Sequence, residues 1–209
     1  MNKLIPKNIY IRIKKQGLLK TMNYAFFVFI LQKFFLELKY VYEKTNNAIY
    51  INDKIYKKIK FEIIKSINDF NMNDKIDLKN FEGSEIFIKL DYEFNKNNKC
   101  IIVRNENEKL AGLCFLNEIT NSKVAEYKEY LVYNAFVLPE FRGNDYFVHL
   151  LNESYRFANE ISQGTGMVLR GNVAVGNYSS IKSFKKAGFI CKKLIAKFKN
   201  KEIFSIKFQ

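Results

Sequence analysis

Histidine occurs once in this chain, at His149, and cysteine three times, at Cys100, Cys114 and Cys191. One imidazole cannot build a multi-histidine metal site, and the spacing offers no Ser-His-Asp arrangement. The cysteines are odd in number and none stands in a CxxC pair. That removes a disulfide framework and a cysteine-rich zinc site from consideration and fits a reducing compartment, the cytoplasm. Long apolar runs are missing too: the uninterrupted one, 22–31 with Asn23 inside it, is about ten residues against the roughly 20 that a bilayer span requires. No small-residue cleavage site marks a secretory leader, no internal repeat is visible, and no basic stripe is concentrated enough to mark a nucleic-acid groove.

What is present is a folding composition. Of 209 residues 48% are hydrophobic, and 20 Phe and 13 Tyr stand among them, enough to fill a full core. The length suits one domain, 46–209, preceded by an extension, 1–45. Lys and Arg exceed Asp and Glu by fourteen (35 against 21), which favours anionic partners: a phosphorylated cofactor, an acidic lipid surface or nucleic acid. The charge is spread along the chain and does not choose among them. In the extension, Lys3, Lys7, Arg12, Lys14 and Lys15 precede an aromatic-rich segment, Leu18 to Tyr42. It reads as an amphipathic helix that packs on the domain, or that lies in a membrane interface flanked by Lys20, Lys33 and Lys39.

Further along, Ala48 to Ile51 reads as a short strand, Lys54 to Phe70 as helical by its apolar spacing, and Asn71 to Gly83 as a polar loop with at most one short helix. Cys100–Val103 and Leu110–Leu116 flank the polar Asn105–Glu108, the pattern of a hairpin, and a long strand follows from about Glu129 to Val137. Tyr146 to Ile161 is an amphipathic helix for which Asp145 stands at the N-cap. A strand over Met167–Val173, a helix over Ser179–Ala187 closed by Gly188, and strands over Phe189–Phe198 and Ile203–Phe208 complete the chain. A strand that stops at Pro139 and re-enters a helix through a polar loop aims orphan amides and a helix dipole at one point, which favours a phosphate ligand, although by itself the stretch reads first as an ordinary strand-to-helix turn.

Two segments in this order resemble the GCN5-related N-acetyltransferase (GNAT) family. Val137-Leu-Pro-Glu-Phe-Arg-Gly143 with Leu150-Leu151 is similar to its strand, proline, arginine-glycine loop and cofactor helix. Asn177 to Phe189 is similar to its asparagine, helix and terminal Gly-Phe. The resemblance covers about Ala48 to Gln209. It implies an α+β (α/β) fold with a mixed, mostly antiparallel central sheet flanked by helices, and acetyl-CoA as acyl donor, without a metal. By position it assigns the pyrophosphate to Arg142, Gly143, Asn144, Asp145, Tyr146 and Phe147, and the pantetheine and thioester to Phe136 and Val137. Asn177 approaches the pantetheine arm, and Phe184 stands where the family usually has its acidic tyrosine. The loop departs from the pattern Arg-x-x-Gly-x-Gly, because Asp145 and Phe147 replace both later glycines. A carboxylate there is either turned away or offset by Arg142 and nearby lysines, or it weakens cofactor binding.

For chemistry the resemblance offers Glu129 as base. Alternation places it on one strand face with Leu131, Tyr133, Ala135 and Val137, although a solvated glutamate beside Lys123 and Lys128 reads equally from the residues. Phe184 cannot donate a proton; Tyr178 or Tyr133 is a candidate substitute acid, although a tyrosine there reads more commonly as packing or interface and a thiolate also leaves without a dedicated acid, and the Val137 N–H is the donor to the thioester oxygen. His149 is expected to be packed or at the surface rather than catalytic. The function expected is acetyl transfer to a primary amine, such as an amino sugar or a nucleotide-linked amino sugar. The alternative is a non-catalytic module that binds a membrane or an acidic partner. Expected partners are the amine acceptor, a membrane surface through 18–42 and a second copy of the chain, with nucleic acid disfavoured.

Overall fold

The computed structural model describes residues 37–45, 56–83, 85–96, 98–119, 127–163, 166–198 and 201–208. These form two compact units. The first takes its described residues from Met1–Val41, Val173–Ile181 and Cys191–Gln209, the second from Tyr42–Asn172 and Lys182–Ile190. The expected strand at Ala48–Ile51 and most of the expected leading helix lie outside the described residues. The last part of that helix is corrected: Glu37–Lys44 is a strand, β1, which passes from the first unit into the second.

The second unit is built on strands paired in the order β2-β3-β4-β5-β6. These are Lys60–Ile64, Lys99–Arg104, Leu110–Glu118, Tyr127–Val137 and Gly166–Ala174, the last of which ends in the first unit. All are antiparallel neighbours except β5 and β6, which are parallel. Helices α1 (Met72–Glu82) and α2 (Glu85–Asn95) cover one face, where Leu78, Ile86 and Leu90 meet Cys100, Ile102, Leu113 and Phe115. The opposite face, reached by the alternate residue Cys114, carries α3 (Tyr146–Ile161), whose Ser154 Oγ lies 3.2 Å from Cys114 Sγ. In the first unit β7 (Ile190–Phe198) and β8 (Lys201–Lys207) form an antiparallel hairpin, and Leu38, Val175 and Ala196 make a small core. This mixed, mostly antiparallel sheet flanked by helices is the architecture expected from the sequence.

Two expectations fail for stated reasons. Of the expected helix over Lys54–Phe70, Lys54 and Ile55 lie outside the described residues, Tyr56 is helical, and from Lys60 on the chain is strand β2 and a 3-10 turn, Ile67–Asp69, rather than a helix. A short apolar run fits either period, and pairing with β3 from Lys60↔Arg104 to Ile64↔Cys100 decides it. The expected loop Asn71–Gly83 is an eleven-residue helix. Its apolar stripe is faint, and its ends hold it. Asn71 Oδ1 accepts from the Asp74 N–H at 2.8 Å while Asp74 Oδ2 accepts from the Asn71 N–H at 3.2 Å, and Gly83 closes the helix at φ 74°.

Asp74 also ties α1 to the sheet. Arg104 donates to both its oxygens at 2.7 Å, Arg104 Nε reaches Glu62 at 2.9 Å, and the Arg104–Asp74 pair is buried. Removing one partner leaves the other charge buried alone. Asp74→Ala is therefore expected to lose about 3–5 kcal/mol in urea unfolding, and Asp74→Ala with Arg104→Met to recover most of it.

Candidate active site

Strand β5 carries an extra residue. Phe115 pairs with Tyr133 and Leu113 with Phe136, so Asn134 and Ala135 both oppose Cys114, and Asn134 adopts φ 47°. The bulge shifts the alternation by one. Glu129, Leu131 and Tyr133 share the face toward α1 and α2, and past the bulge Phe136 joins them while Val137 moves to the other face. The expected single row from Glu129 to Val137 is corrected accordingly. The ladder to β6 runs from Tyr127↔Gly166 only to Val132↔Gly171, so Tyr133–Val137 is an edge without a β6 partner among the described residues. The Leu138 N–H donates to Ala111 O at 2.9 Å, so Phe136 and Leu138 aim their peptide groups at β4 and Val137 aims its own at the open side. The Val137 carbonyl accepts from Arg142 Nε at 3.0 Å. The Phe136 ring stacks on Phe81 of α1 at 5.1 Å, and the Arg142 guanidinium lies 5.5 Å over the same Phe81.

After β5 a 3-10 turn, Pro139–Phe141, leads to Arg142 and the loop into α3. Gly143 has φ 87° and Asp145 φ 59°, both left-handed. Asparagine and aspartate tolerate that region better than other side chains, so Asp145 keeps the backbone form a glycine would take. The first helical bond runs from the His149 N–H to Asp145 O at 3.0 Å. The N–H groups of Tyr146, Phe147 and Val148 have no acceptor one turn back in the helix. Asp145 stands at the N-cap as expected, yet its side chain makes no cap bond and instead accepts from Lys186 Nζ at 2.6 Å. The carboxylate is thus paired with Lys186 rather than with the first-turn N–H groups, which together with the helix dipole suit an anion.

Lys186 lies in α4 (Tyr178–Lys186), and the same helix sends Phe184 into an aromatic cluster. Its ring meets Tyr42 at 5.4 Å, Phe147 at 5.8 Å and Phe189 at 4.9 Å. It rests on Gly171, where a Cβ would lie 2.1 Å from it. Beside the cluster Lys44 is 1% exposed, donating to Asn152 Oδ1 at 3.0 Å and Ala187 O at 2.7 Å, and burial pushes its ammonium down to about 8.

The model of the acetyltransferase (GNAT) family matches residues 64–189, more than half of the chain. The chain belongs to this family. Two solved GNAT structures share its fold. One, a tandem GNAT protein from the clavulanic acid biosynthesis pathway, is 11% identical with a TM-score of 0.55 and covers 77% of this chain and 52% of its own. The other, a GNAT acetyltransferase from Colwellia psychrerythraea, is 13% identical with a TM-score of 0.52, covering 83% and 56%. The chain thus spans about half the length of both. No curated protein matches it in sequence.

Among the residues that the GNAT motifs single out, Phe136, Val137, Arg142, Gly143, Asn144, Asp145, Tyr146, Phe147 and Phe184 fall in the second unit, on the end of β5, the loop, α3 and α4. Glu129 is there as well, but its Oε2 accepts from Arg170 Nη1 at 2.5 Å, and Arg170 Nε reaches Glu43 at 2.9 Å. Asn177 and Tyr178 belong to the first unit, where Asn177 Oδ1 accepts from the Ser180 N–H at 3.2 Å and Tyr178 is exposed. His149 is packed as expected, 1% exposed against Tyr56 at 5.7 Å, and burial pushes its imidazole down. Sequence reasoning missed Glu93 of α2, which accepts from Tyr133 Oη at 2.5 Å, and Lys186, the partner of Asp145. Neither carries a sequence signal, because each meets its partner across about forty residues of chain.

Phe184→Tyr is expected to cost about 1–3 kcal/mol in urea unfolding, since it buries a hydroxyl among rings. For Lys44 the folded value of about 8 lies below the ordinary 10.5, so the unfolded chain binds more protons between them. The cost is fully present below pH 8 and is relieved as pH rises. Stability of the parent relative to Lys44→Met is therefore expected to climb between pH 8 and 10, which denaturation at fixed salt measures.

Proposed function

We propose that the chain moves an acetyl group from acetyl-CoA to a primary amine, on an amino sugar or a nucleotide-linked amino sugar. The observation that carries this reading is the loop before α3. It keeps left-handed backbone at Gly143 and Asp145, and Lys186 offsets the Asp145 carboxylate, which would otherwise repel a diphosphate. Acetyl-CoA supplies, when bound, an acyl group activated as a thioester. The first-turn N–H groups of α3 with Arg142 hold the pyrophosphate, and the free edge from Tyr133 to Val137 takes the pantetheine. The Val137 N–H, on that open side, serves as donor to the acyl oxygen. Glu129 offers a carboxylate on the same strand, although a proton taken there disturbs its pair with Arg170. The net charge of +14 supports a phosphorylated acceptor.

A second reading has observations of its own. Phe184 carries no hydroxyl and is closed into the core, and Glu129 is committed to Arg170, so a non-catalytic module that meets a membrane surface through 18–36, the part of the leading segment before β1, or an acidic partner also fits.

Calorimetric titration with acetyl-CoA, followed by thiol release over a panel of amines, separates the two. Binding by the parent and turnover with an amino sugar support the enzyme. Binding without release for any amine favours the module, and no binding by the parent removes the first reading. Lys186→Met is expected to weaken acetyl-CoA binding about tenfold or more, roughly 1.4 kcal/mol, by leaving Asp145 uncompensated. Asp145→Gly added to it should restore the affinity.

A further inference from the structure

Glu93 is a nearly buried carboxylate, 9% exposed, met by three neutral donors. Tyr133 Oη donates to its Oε2 at 2.5 Å, Asn98 Nδ2 to the same oxygen at 2.8 Å, and Asn134 Nδ2 to its Oε1 at 3.1 Å. Burying an ionised carboxylate without a cation is unfavourable unless hydrogen bonds replace its hydration, and these three do so. Two of the donors, Tyr133 and Asn134, are consecutive residues at the start of the β5 bulge, and Asn134 is the one at φ 47°.

The bulge has a competitor. Without the extra residue β5 would continue in plain alternation, and every residue beyond it would exchange faces. Phe136 would leave Phe81, and the Val137 peptide would turn from the open edge toward β4. Left-handed backbone at a residue other than glycine is unfavourable by itself, so the bulged form needs something to hold it. The carboxylate of α2 reaches Tyr133, the last paired residue before the bulge, and Asn134, one of the two residues within it. Burial, and then Glu93, hold the Tyr133 hydroxyl above its ordinary range, so it stays protonated and bound.

We infer that Glu93 is the positioning residue of this site: through Tyr133 and Asn134 it locks the β5 bulge and so keeps the Val137 N–H on the open edge where the acyl donor binds. The inference rests on the acyltransferase reading for the donor and on geometry alone for the bulge.

The test has one arm without ligand and one with it. In the first, amide hydrogen exchange is followed over β5 and α3 in the parent, Glu93→Ala, Glu93→Gln and Glu93→Ala with Asn134→Gly. Faster exchange in Glu93→Ala, on the order of tenfold and confined to 133–137, is expected. Glycine at 134 accepts φ 47° freely and should return the protection. Glu93→Gln keeps an oxygen for Tyr133 and should lie between. In the second arm, acetyl-CoA affinity measured by calorimetry should fall and recover in the same order. Unchanged exchange in β5, a uniform rise over β5 and α3 alike, or no rescue by glycine would overturn the inference. Should Glu93→Ala not fold, Tyr133→Phe, which removes one of the three bonds, must still raise exchange locally or the idea fails. If the parent does not bind acetyl-CoA, the acyltransferase reading falls while the exchange arm still decides the role of Glu93.

Discussion

The parallel ladder between β5 and β6 stops at Val132 and Gly171, and the candidate site depends on that stop. A strand inside a sheet has no peptide groups to offer, because both neighbours take them. By losing β6 after Val132 while keeping β4, β5 presents a short edge in the middle of the unit. The bulge at Asn134 then sets which peptides face it. The edge needs support from below, and α1 and α2 provide it through Phe81 against Phe136 and Glu93 against Tyr133. These helices are therefore part of the site's construction as well as its cover.

A second constraint acts at the loop into α3. Phosphate recognition by backbone requires left-handed residues and exposed amides, and the usual solution is glycine. Aspartate at 145 meets the conformational requirement and conflicts with the electrostatic one. The conflict is resolved across the fold by Lys186, at the end of the helix that also carries Phe184. Phe147, in place of the other glycine, turns its ring to Phe184 rather than to the amides. Both departures from the GNAT pattern are absorbed by the same helix, α4.

That arrangement has a consequence for Phe184. Its ring fills the space above Gly171 and contacts three other rings, so the position where the family resemblance places a tyrosine is here a core position. Lys44 lies beside it with its ammonium on Asn152 and on the carbonyl of Ala187, just past the end of α4. A buried cation at a helix C-terminus is favoured by the dipole, which offsets part of the loss of hydration. It thereby links β1, α3 and the end of α4 within the second unit.

The amphipathic period of Tyr146–Ile161, the apolar runs of β3 to β5 and the punctuation at Pro139, Gly143 and Gly188 were sufficient to read most elements and the family likeness, because each is a local pattern that burial then rewards. Lys60–Ile64 and Met72–Glu82 were misread for opposite reasons. The first is a short apolar run whose period only a sheet neighbour can fix, and the second is a polar helix held by its caps and by Arg104. The bulge at Asn134 shifted the row that Glu129 was expected to share with Val137, since one inserted residue leaves no trace in composition. In the stretch from Tyr133 to Phe147 the residues alone determined the strand, the break and the helix. Where Asp145 points, what holds Glu93 and which face Val137 takes were decided only by tertiary structure, because each depends on a partner distant in sequence.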